Sequence, residues 1–214
     1  MMMKKLFTVI FLLFSFSLVN AQFSYQKCKV VYKNGKSRTG YVLNELNRKN
    51  ENYIWFKENS ERRTDAEHVN NPELSKLIFW DSENNEVEFG RILTSTGGRN
   101  KIKIAKDSGW AQVLVKGICT LYHHSSVMTA GNPLKGGGGA TFHDYFAFRK
   151  GEPAARQISV TASANNNQAF RILAPIYFAD YPELAEKIET KEYTWRDIID
   201  VVIEYNKWAD SKKK

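Results

Sequence analysis

The sequence predicts an α+β fold in which an antiparallel β-meander or a partly closed barrel is followed by two to three C-terminal helices. Short runs of β-branched and aromatic residues, separated by polar turn residues, continue to about Val160. After about Asn165 the spacing of apolar residues changes from two to nearly four, which is typical of amphipathic helices. With 43% hydrophobic residues and few prolines, the composition is that of a folded chain. We therefore predict one α+β domain over residues 22–214, β-rich at 23–160 and helical at 166–210.

The residues before this domain have the pattern of a cleavable secretory signal. Lys4 and Lys5 precede an apolar run at residues 6–19, and small residues follow it, so we expect cleavage before Gln22 and removal of residues 1–21. As a helix the run spans about 21 Å, short of a hydrocarbon core of about 30 Å. The sequence thus predicts an exported protein that is periplasmic, outer-membrane associated or extracellular, with no transmembrane segment after cleavage.

Turn residues divide the β-rich part into strands. Asn34-Gly35 tolerates positive φ and predicts a tight hairpin between the first two strand-like runs. Polar residues 82–85 and 150–153 predict two further turns. Gly117 separates two strand-like runs and indicates a bulge or bend in one long strand. The runs are 28–32, 40–46, 53–57, 77–80, 87–93, 110–116, 118–123, 145–149 and 157–160.

Three helices are expected at the C-terminal end. The first covers 168–177, where Pro175 must end or kink it because proline has no backbone N–H. Asp180 is suited to cap the second helix, with Pro182 in its first turn. The third begins at a variant capping box, Thr194 with Asp197. Its apolar residues share one face that should pack on the sheet or on a neighbouring helix; they are 195, 198, 199, 202 and 205.

The two cysteines are a candidate disulfide in an exported protein. Cys28 and Cys119 both lie in strand-like segments. A bridge between them would close a long loop and, in the chain-entropy model, stabilise the fold by about 4 to 5 kcal/mol. The alternative is that both are buried thiols that pack as small apolar side chains.

The chain is basic, with a formal net charge of +8, two of which belong to the signal. Outside the cytoplasm a basic surface meets anionic lipopolysaccharide, acidic glycans or lipid head groups, so we expect an anionic envelope component or a protein as partner. Nucleic acid is excluded as a partner by the predicted export. The basic residues are scattered along the chain, a distribution that also serves solubility.

Histidines flank an unusually long predicted loop at residues 124–142. Its four consecutive glycines are not followed by the Lys and Ser or Thr that a phosphate-binding loop requires. His123, His124 and His143, with Asp144, are candidate zinc ligands if the loop brings them together. Adjacent residues of a strand point to opposite faces, so at most one of His123 and His124 faces His143.

No catalytic residue and no cofactor is predicted from the rest of the chain. There is no G-x-S-x-G nucleophile motif, and neither cysteine lies at an electropositive helix start. Glu86 and Glu88 alternate with apolar residues, which is typical of the solvent face of a half-buried strand rather than of a carboxylate pair in a glycosidase.

The C-terminal segments at 176–185, 197–199 and 202–206 resemble those of a group of exported proteins of unknown function from Bacteroidota, in which a β-rich first part ends in a helical segment. The early segments 34–42 and 54–57 are similar as well. The resemblance implies an exported α+β protein. It implies no catalytic residue.

These observations favour a non-enzymatic exported protein that acts by binding or by association with the envelope, with Tyr53, Trp55 and Trp110 as candidate contacts. One alternative is an envelope hydrolase or glycan-processing enzyme with a site near His123 and His143. Another is a structural component of an envelope assembly.

Overall fold

The computed structural model describes residues 25–43, 45–46, 52–60, 66–98, 101–129, 139–161 and 166–213. They form one 12-stranded sheet followed by three helices, which confirms the predicted α+β fold. The sheet is mixed and not closed, with the strand order β4-β3-β2-β1-β5-β6-β9-β10-β11-β12-β7-β8. The predicted signal at residues 1–21 and the run of glycines lie outside the described residues.

The first half of the sheet is an antiparallel array built on two tight hairpins. Gly35 (φ 84°) lies in the β1–β2 turn and Asn84 (φ 64°) in the β5–β6 turn, as the turn residues predicted. The strands are β1 (Tyr25–Tyr32), β2 (Ser37–Leu43), β3 (Tyr53–Lys57), β4 (Glu67–Asn70), β5 (Leu74–Trp80) and β6 (Glu86–Ile92).

The second half contains two long paired strands that the sequence did not predict at full length. The strands are β7 (Thr94–Thr96), β8 (Lys103–Ile104), β9 (Gly109–Val115), β10 (Cys119–Thr129), β11 (Gly139–Arg149) and β12 (Ala155–Thr161). Strands β10 and β11 pair in continuous register from Cys119↔Arg149 to Thr129↔Gly139. They therefore extend well into the predicted loop at 124–142, because backbone pairing continues where the apolar pattern ends.

Gly117 marks a chain reversal, not a bulge in one strand. Strands β9 and β10 are antiparallel neighbours, with Leu121 opposite Val115. The space at Gly117 is filled by a helix residue, since a Cβ atom built there would lie 2.4 Å from Asn206 Nδ2. The prediction of a single long strand was wrong because this helix contact is invisible in the local pattern.

One parallel pair makes the sheet mixed. Strand β7 follows β6 after Leu93 alone, yet it pairs in parallel with β12 through Ala155↔Thr94. This end of the sheet therefore curls, so that β12 returns close to the end of β6. A purely antiparallel meander does not describe the fold at this pair.

The helices are α1 (Asn166–Tyr177), α2 (Pro182–Glu189) and α3 (Ile198–Ser211). The capping box at Thr194 is present and opens a one-turn 3-10 helix that leads into α3. Asp180 does not cap α2, whose N-cap is Tyr181 without a side-chain hydrogen bond. None of the described helices has the length and apolar character needed to cross a bilayer.

Among the described residues, three buried clusters form the core. Two lie on one face of the sheet: the first beneath β1–β6 and β9, around Cys28, Leu77 and Trp110, and the second between the helices and β10–β12, around Leu121. The third lies inside the curl on the other face and includes Ala111. The adjacent β9 residues Trp110 and Ala111 therefore lie in two different cores.

Candidate functional site

The four candidate metal ligands lie on β10 and β11, but on two faces of the sheet. On the helix-covered face, His123 Nε2 lies 2.9 Å from His143 Nδ1 in a hydrogen bond, and the two rings are nearly parallel at 18°. On the other face His124 lies opposite Asp144, with Nδ1 and Oδ2 4.0 Å apart. No group of three potential ligands occurs among the residues that the structure describes.

The pair formed by His123 and His143 lies beside Tyr145 and Ser159 on the helix-covered face. The ring of Tyr145 lies 5.0 Å from that of His123. Burial lowers the pKa of His123 to about 4, and the adjacent His143 adds to this effect. Ser159 lies opposite Tyr145 in the register, is fully buried, and its hydroxyl has no hydrogen-bond partner among the described residues.

Because Asp144 is on the other face, the imidazole pair has no carboxylate partner from this set of candidates. Asp144 instead accepts a hydrogen bond from Gln157 Nε2 at 2.7 Å. In the hydrogen bond between the two rings, a nitrogen of one imidazole donates its proton to a nitrogen of the other. It brings together two of the four predicted ligands, His123 and His143, and separates them from the other two.

The cysteines are two free, buried thiols in this structure. Cys28 lies on β1 and Cys119 on β10, and strands β5, β6 and β9 lie between them in the sheet. A disulfide requires Cα atoms within about 7 Å of each other. Neighbouring strands are about 4.8 Å apart, so cysteines with three strands between them are too far apart for a disulfide in this structure. Burial raises the pKa of both thiols to about 12.

Of the three predicted aromatic contacts, Trp110 is not on the surface. It is 2% exposed, and its indole N–H donates to Asn71 Oδ1 at 3.0 Å. Tyr53 and Trp55 are half-buried on β3. They form a ring cluster with the exposed His68 on β4, which stacks on Tyr53 at 3.9 Å and meets Trp55 edge-on at 3.9 Å.

This ring cluster belongs to a larger surface that we name the aromatic–lysine face. Its members lie on the same side of strands β1 to β5, as the register Tyr25↔Leu43, Lys27↔Tyr41 and Trp55↔His68 shows. They alternate along each strand with the apolar residues of the buried face, such as those of the cluster around Cys28. The members are Tyr25, Lys27, Tyr41, Tyr53, Trp55, Lys57, His68 and Trp80.

Lysine ammonium groups lie over aromatic rings on this face. Lys57 Nζ is 4.2 Å from the ring centroid of Tyr25, and Lys27 Nζ is 5.3 Å from that of Trp80. Both distances are within the range of cation–π attraction. Lys57 is only 4% exposed, so its charge is held beneath the surface, whereas Lys27 is exposed.

The border of the face at β6 is acidic. Glu88 accepts hydrogen bonds from Lys76 Nζ at 3.1 Å and from Lys116 Nζ at 2.8 Å. These two lysines share one carboxylate, which offsets one of their two positive charges, and Lys27 and Lys57 add positive charge toward β1 and β3.

A second polar network, which no sequence motif indicates, surrounds Arg149. The guanidinium of Arg149 bonds both carboxylate oxygens of Asp180 at 3.2 Å and lies over the rings of Tyr177 (4.3 Å) and Tyr205 (4.8 Å). The hydroxyl of Tyr205 donates to Asp180, and that of Tyr177 donates to Glu152. The network joins the end of β11 to α1, α3 and the segment before α2. Its signal in the sequence, an arginine before a turn, is too common to have revealed it.

No protein family model, no curated protein and no solved structure matches this chain. The chemistry of the faces described above is therefore the basis for a function.

Proposed function

We propose that the protein is a non-enzymatic exported binding protein that takes an acidic glycan of the cell envelope on its aromatic–lysine face. The observation that carries this proposal is the interleaving of half-exposed aromatic rings with lysines on one side of five adjacent strands. The export pattern of the N-terminal residues supports an envelope ligand.

The rings suit a sugar because a pyranose presents a flat array of C–H groups that packs on an aromatic face. Tyr and Trp also keep a polar atom at the edge, which makes them frequent in binding surfaces. Tyr41, Tyr53, Trp55 and Trp80 are all half-buried, so their orientation is held by the sheet while part of each ring faces solvent. A rigid, preformed ring surface reduces the entropy lost on binding.

The lysines add preference for an anionic sugar. Lys27 is exposed and its ammonium group lies over Trp80, so it is positioned to donate to a carboxylate or sulfate of a sugar bound next to that ring. The net charge of +6 that remains after removal of the two signal lysines attracts such a polymer over a longer range and makes binding weaken as salt is added.

The test is a binding titration of the chain from Gln22 with polygalacturonate, an acidic glycan, and with dextran, a neutral one. We expect saturable binding to polygalacturonate, a decrease of about tenfold in affinity for Trp55→Ala, and a similar decrease for Lys27→Glu. The matched controls are Trp208→Ala on α3 and Lys150→Glu in the β11–β12 turn, which make the same changes away from the face.

Equal affinity for the two glycans, or equal losses in the face variants and in their matched controls, would overturn the proposal. Circular dichroism of each variant shows whether its fold is intact, so a loss of binding is attributed only to folded protein.

The second candidate function is an envelope hydrolase that uses the His123–His143 pair. The 2.9 Å contact between these imidazoles is the observation in its favour. Release of reducing sugar from a glycan by the unmodified chain, lost in His143→Gln, would support it, whereas identical rates for the two proteins would exclude the pair as a catalytic centre.

A further inference from the structure

The chain carries a second exposed surface at the opposite end of the strand order, on β8 and the residues around it. Ile102 is 52% exposed and Ile104 is 44% exposed, and exposed lysines alternate with them at Lys101 and Lys103, with Lys106 close behind. We name residues 101–106 the edge segment. It contains three cations and no acidic residue.

The backbone holds the edge segment in place on the sheet. Strand β8 pairs with β7 through Ser95↔Ile104, and the Ala105 N–H donates to Thr94 O at 2.8 Å. Gly97 has φ 113°, and a Cβ atom there would lie 2.0 Å from Lys101 O, so glycine is required for this close approach. Ile104 is therefore presented by a paired backbone, and Ile102 precedes it by two residues, the spacing that places side chains of an extended chain on one side.

We propose that the edge segment docks the protein on the surface of an anionic lipid bilayer. Ile102 and Ile104 enter the boundary between head groups and acyl chains, and the lysines bind lipid phosphates at the level of the head groups. Long lysine side chains reach the head groups while their methylene stems lie along apolar surface. This docking is independent of glycan binding on the aromatic–lysine face.

Two other occupants of the edge segment are less favourable than a bilayer. A second copy of the exported form would bring another net charge of +6 against the lysines, which disfavours self-association through this segment. An added β-strand from another protein would find only the two residues of β8 to pair with at this edge. An anionic bilayer matches both the apolar and the basic side chains.

The test is co-sedimentation with vesicles of phosphatidylglycerol and phosphatidylethanolamine, compared with vesicles of phosphatidylcholine alone. Because the apolar run at 6–19 would itself bind lipid, all proteins begin at Gln22, the predicted exported form. We expect binding to the anionic vesicles that weakens with added salt, and at least a tenfold lower partition coefficient for the double variant Ile102→Ser with Ile104→Ser.

The helices supply a matched control. Ile172 is 53% exposed and Ile199 is 42% exposed, so the double variant Ile172→Ser with Ile199→Ser removes the same apolar groups at similar exposure. It should bind vesicles as the unmodified chain does.

A second control distinguishes the effect of the lysines in the edge segment on vesicle binding from the effect of net charge. Glutamate at Lys101, Lys103 and Lys106 should abolish vesicle binding, whereas glutamate at the exposed Lys150, Lys207 and Lys213 makes the same change in net charge and should reduce it less than threefold.

Equal binding to both kinds of vesicle, or equal losses in the edge-segment variants and their controls, would overturn the proposal. A dimer in sedimentation velocity that disappears in Ile102→Ser with Ile104→Ser would also overturn it, because the segment would then be an interface between copies. Glycan binding is measured on the two isoleucine double variants, whose net charge is that of the unmodified chain, and should be unchanged.

Discussion

Asn206 on α3 and Cys119 on β10 exchange two hydrogen bonds between a side chain and a backbone. The Cys119 N–H donates to Asn206 Oδ1 at 2.7 Å, and Asn206 Nδ2 donates to Cys119 O at 2.9 Å. Both residues are buried, so these bonds satisfy groups that water does not reach. The same amide fills the space above Gly117. The contact fixes the last helix to the sheet at the start of β10.

Replacement of this amide should destabilise the fold. Asn206→Ala leaves the N–H and the carbonyl of Cys119 buried without these partners, and we expect a loss of about 2–4 kcal/mol. Urea denaturation followed by circular dichroism measures it. Lys207→Ala, an exposed neighbour on α3, should change stability by less than about 0.5 kcal/mol. Equal stability of the two variants would contradict the role given to Asn206.

Gly117→Ala should also destabilise the protein, and the two changes should be coupled. An added methyl group would meet Asn206 Nδ2 at 2.4 Å, so Gly117→Ala should cost less in the Asn206→Ala background than alone. Gly98→Ala is the control, because a Cβ atom there has nothing within 4 Å. Additive effects in the double-mutant cycle would show that the two positions do not interact.

Arg149 should contribute to stability through its contacts with the helical part. Arg149→Met removes both bonds to the exposed Asp180 and the cation over Tyr177 and Tyr205, so we expect a loss of about 1–2 kcal/mol. Thermal unfolding measures the change. Arg171→Met on α1, where the guanidinium is exposed, should alter stability far less; a comparable loss there would refute a special role for Arg149.

The imidazole pair should make stability depend on pH. The native pKa of His123, about 4, lies below the ordinary value of about 6.5, so the unfolded chain binds the proton first as the pH falls. Stability contributed by the neutral ring is therefore complete above pH 6.5 and is lost between pH 6.5 and 4. After allowance for partial exposure the loss is about 1–2 kcal/mol.

His123→Gln should remove this part of the pH profile, measured by urea denaturation between pH 4 and 7.5. His68→Gln, which removes an exposed imidazole on β4, should retain it. A profile unchanged in His123→Gln would show that the pair does not resist protonation.

The two thiols should be unreactive in the folded protein. Burial raises the pKa of Cys28 and of Cys119 to about 12, so little thiolate forms at neutral pH. Iodoacetamide should modify neither residue in buffer and both in urea, as mass spectrometry reports. A protein that resists the reagent in urea and gains two sites after reduction would contain the alternative, a disulfide.

The sequence predicted the elements whose signals are local. The hairpin at Asn34-Gly35 and the capping box at Thr194 depend on residues a few positions apart, and both are confirmed. The wrong predictions concern positions whose local structure depends on residues that are distant in the sequence. Gly117 reverses the chain beneath α3, and Asp180 binds Arg149 instead of capping α2.

The faces of the sheet were predictable only in part. Alternation alone showed that His123 and His124 point apart, and the register of β10 and β11 then selects His123 as the partner of His143. On β3, both faces carry aromatic or apolar residues, so the pattern did not show that Tyr53 and Trp55 face away from the core around Cys28. The parallel pairing of β7 with β12 has no local signal.

Trp110 and Ala111 give β9 a particular place in the molecule, because one strand forms a wall of two cores on opposite faces. Removing strands β10–β12 or the first strands would expose one of these walls to water. We therefore expect that neither half of the chain folds when expressed alone, and that the whole sheet unfolds as one cooperative unit.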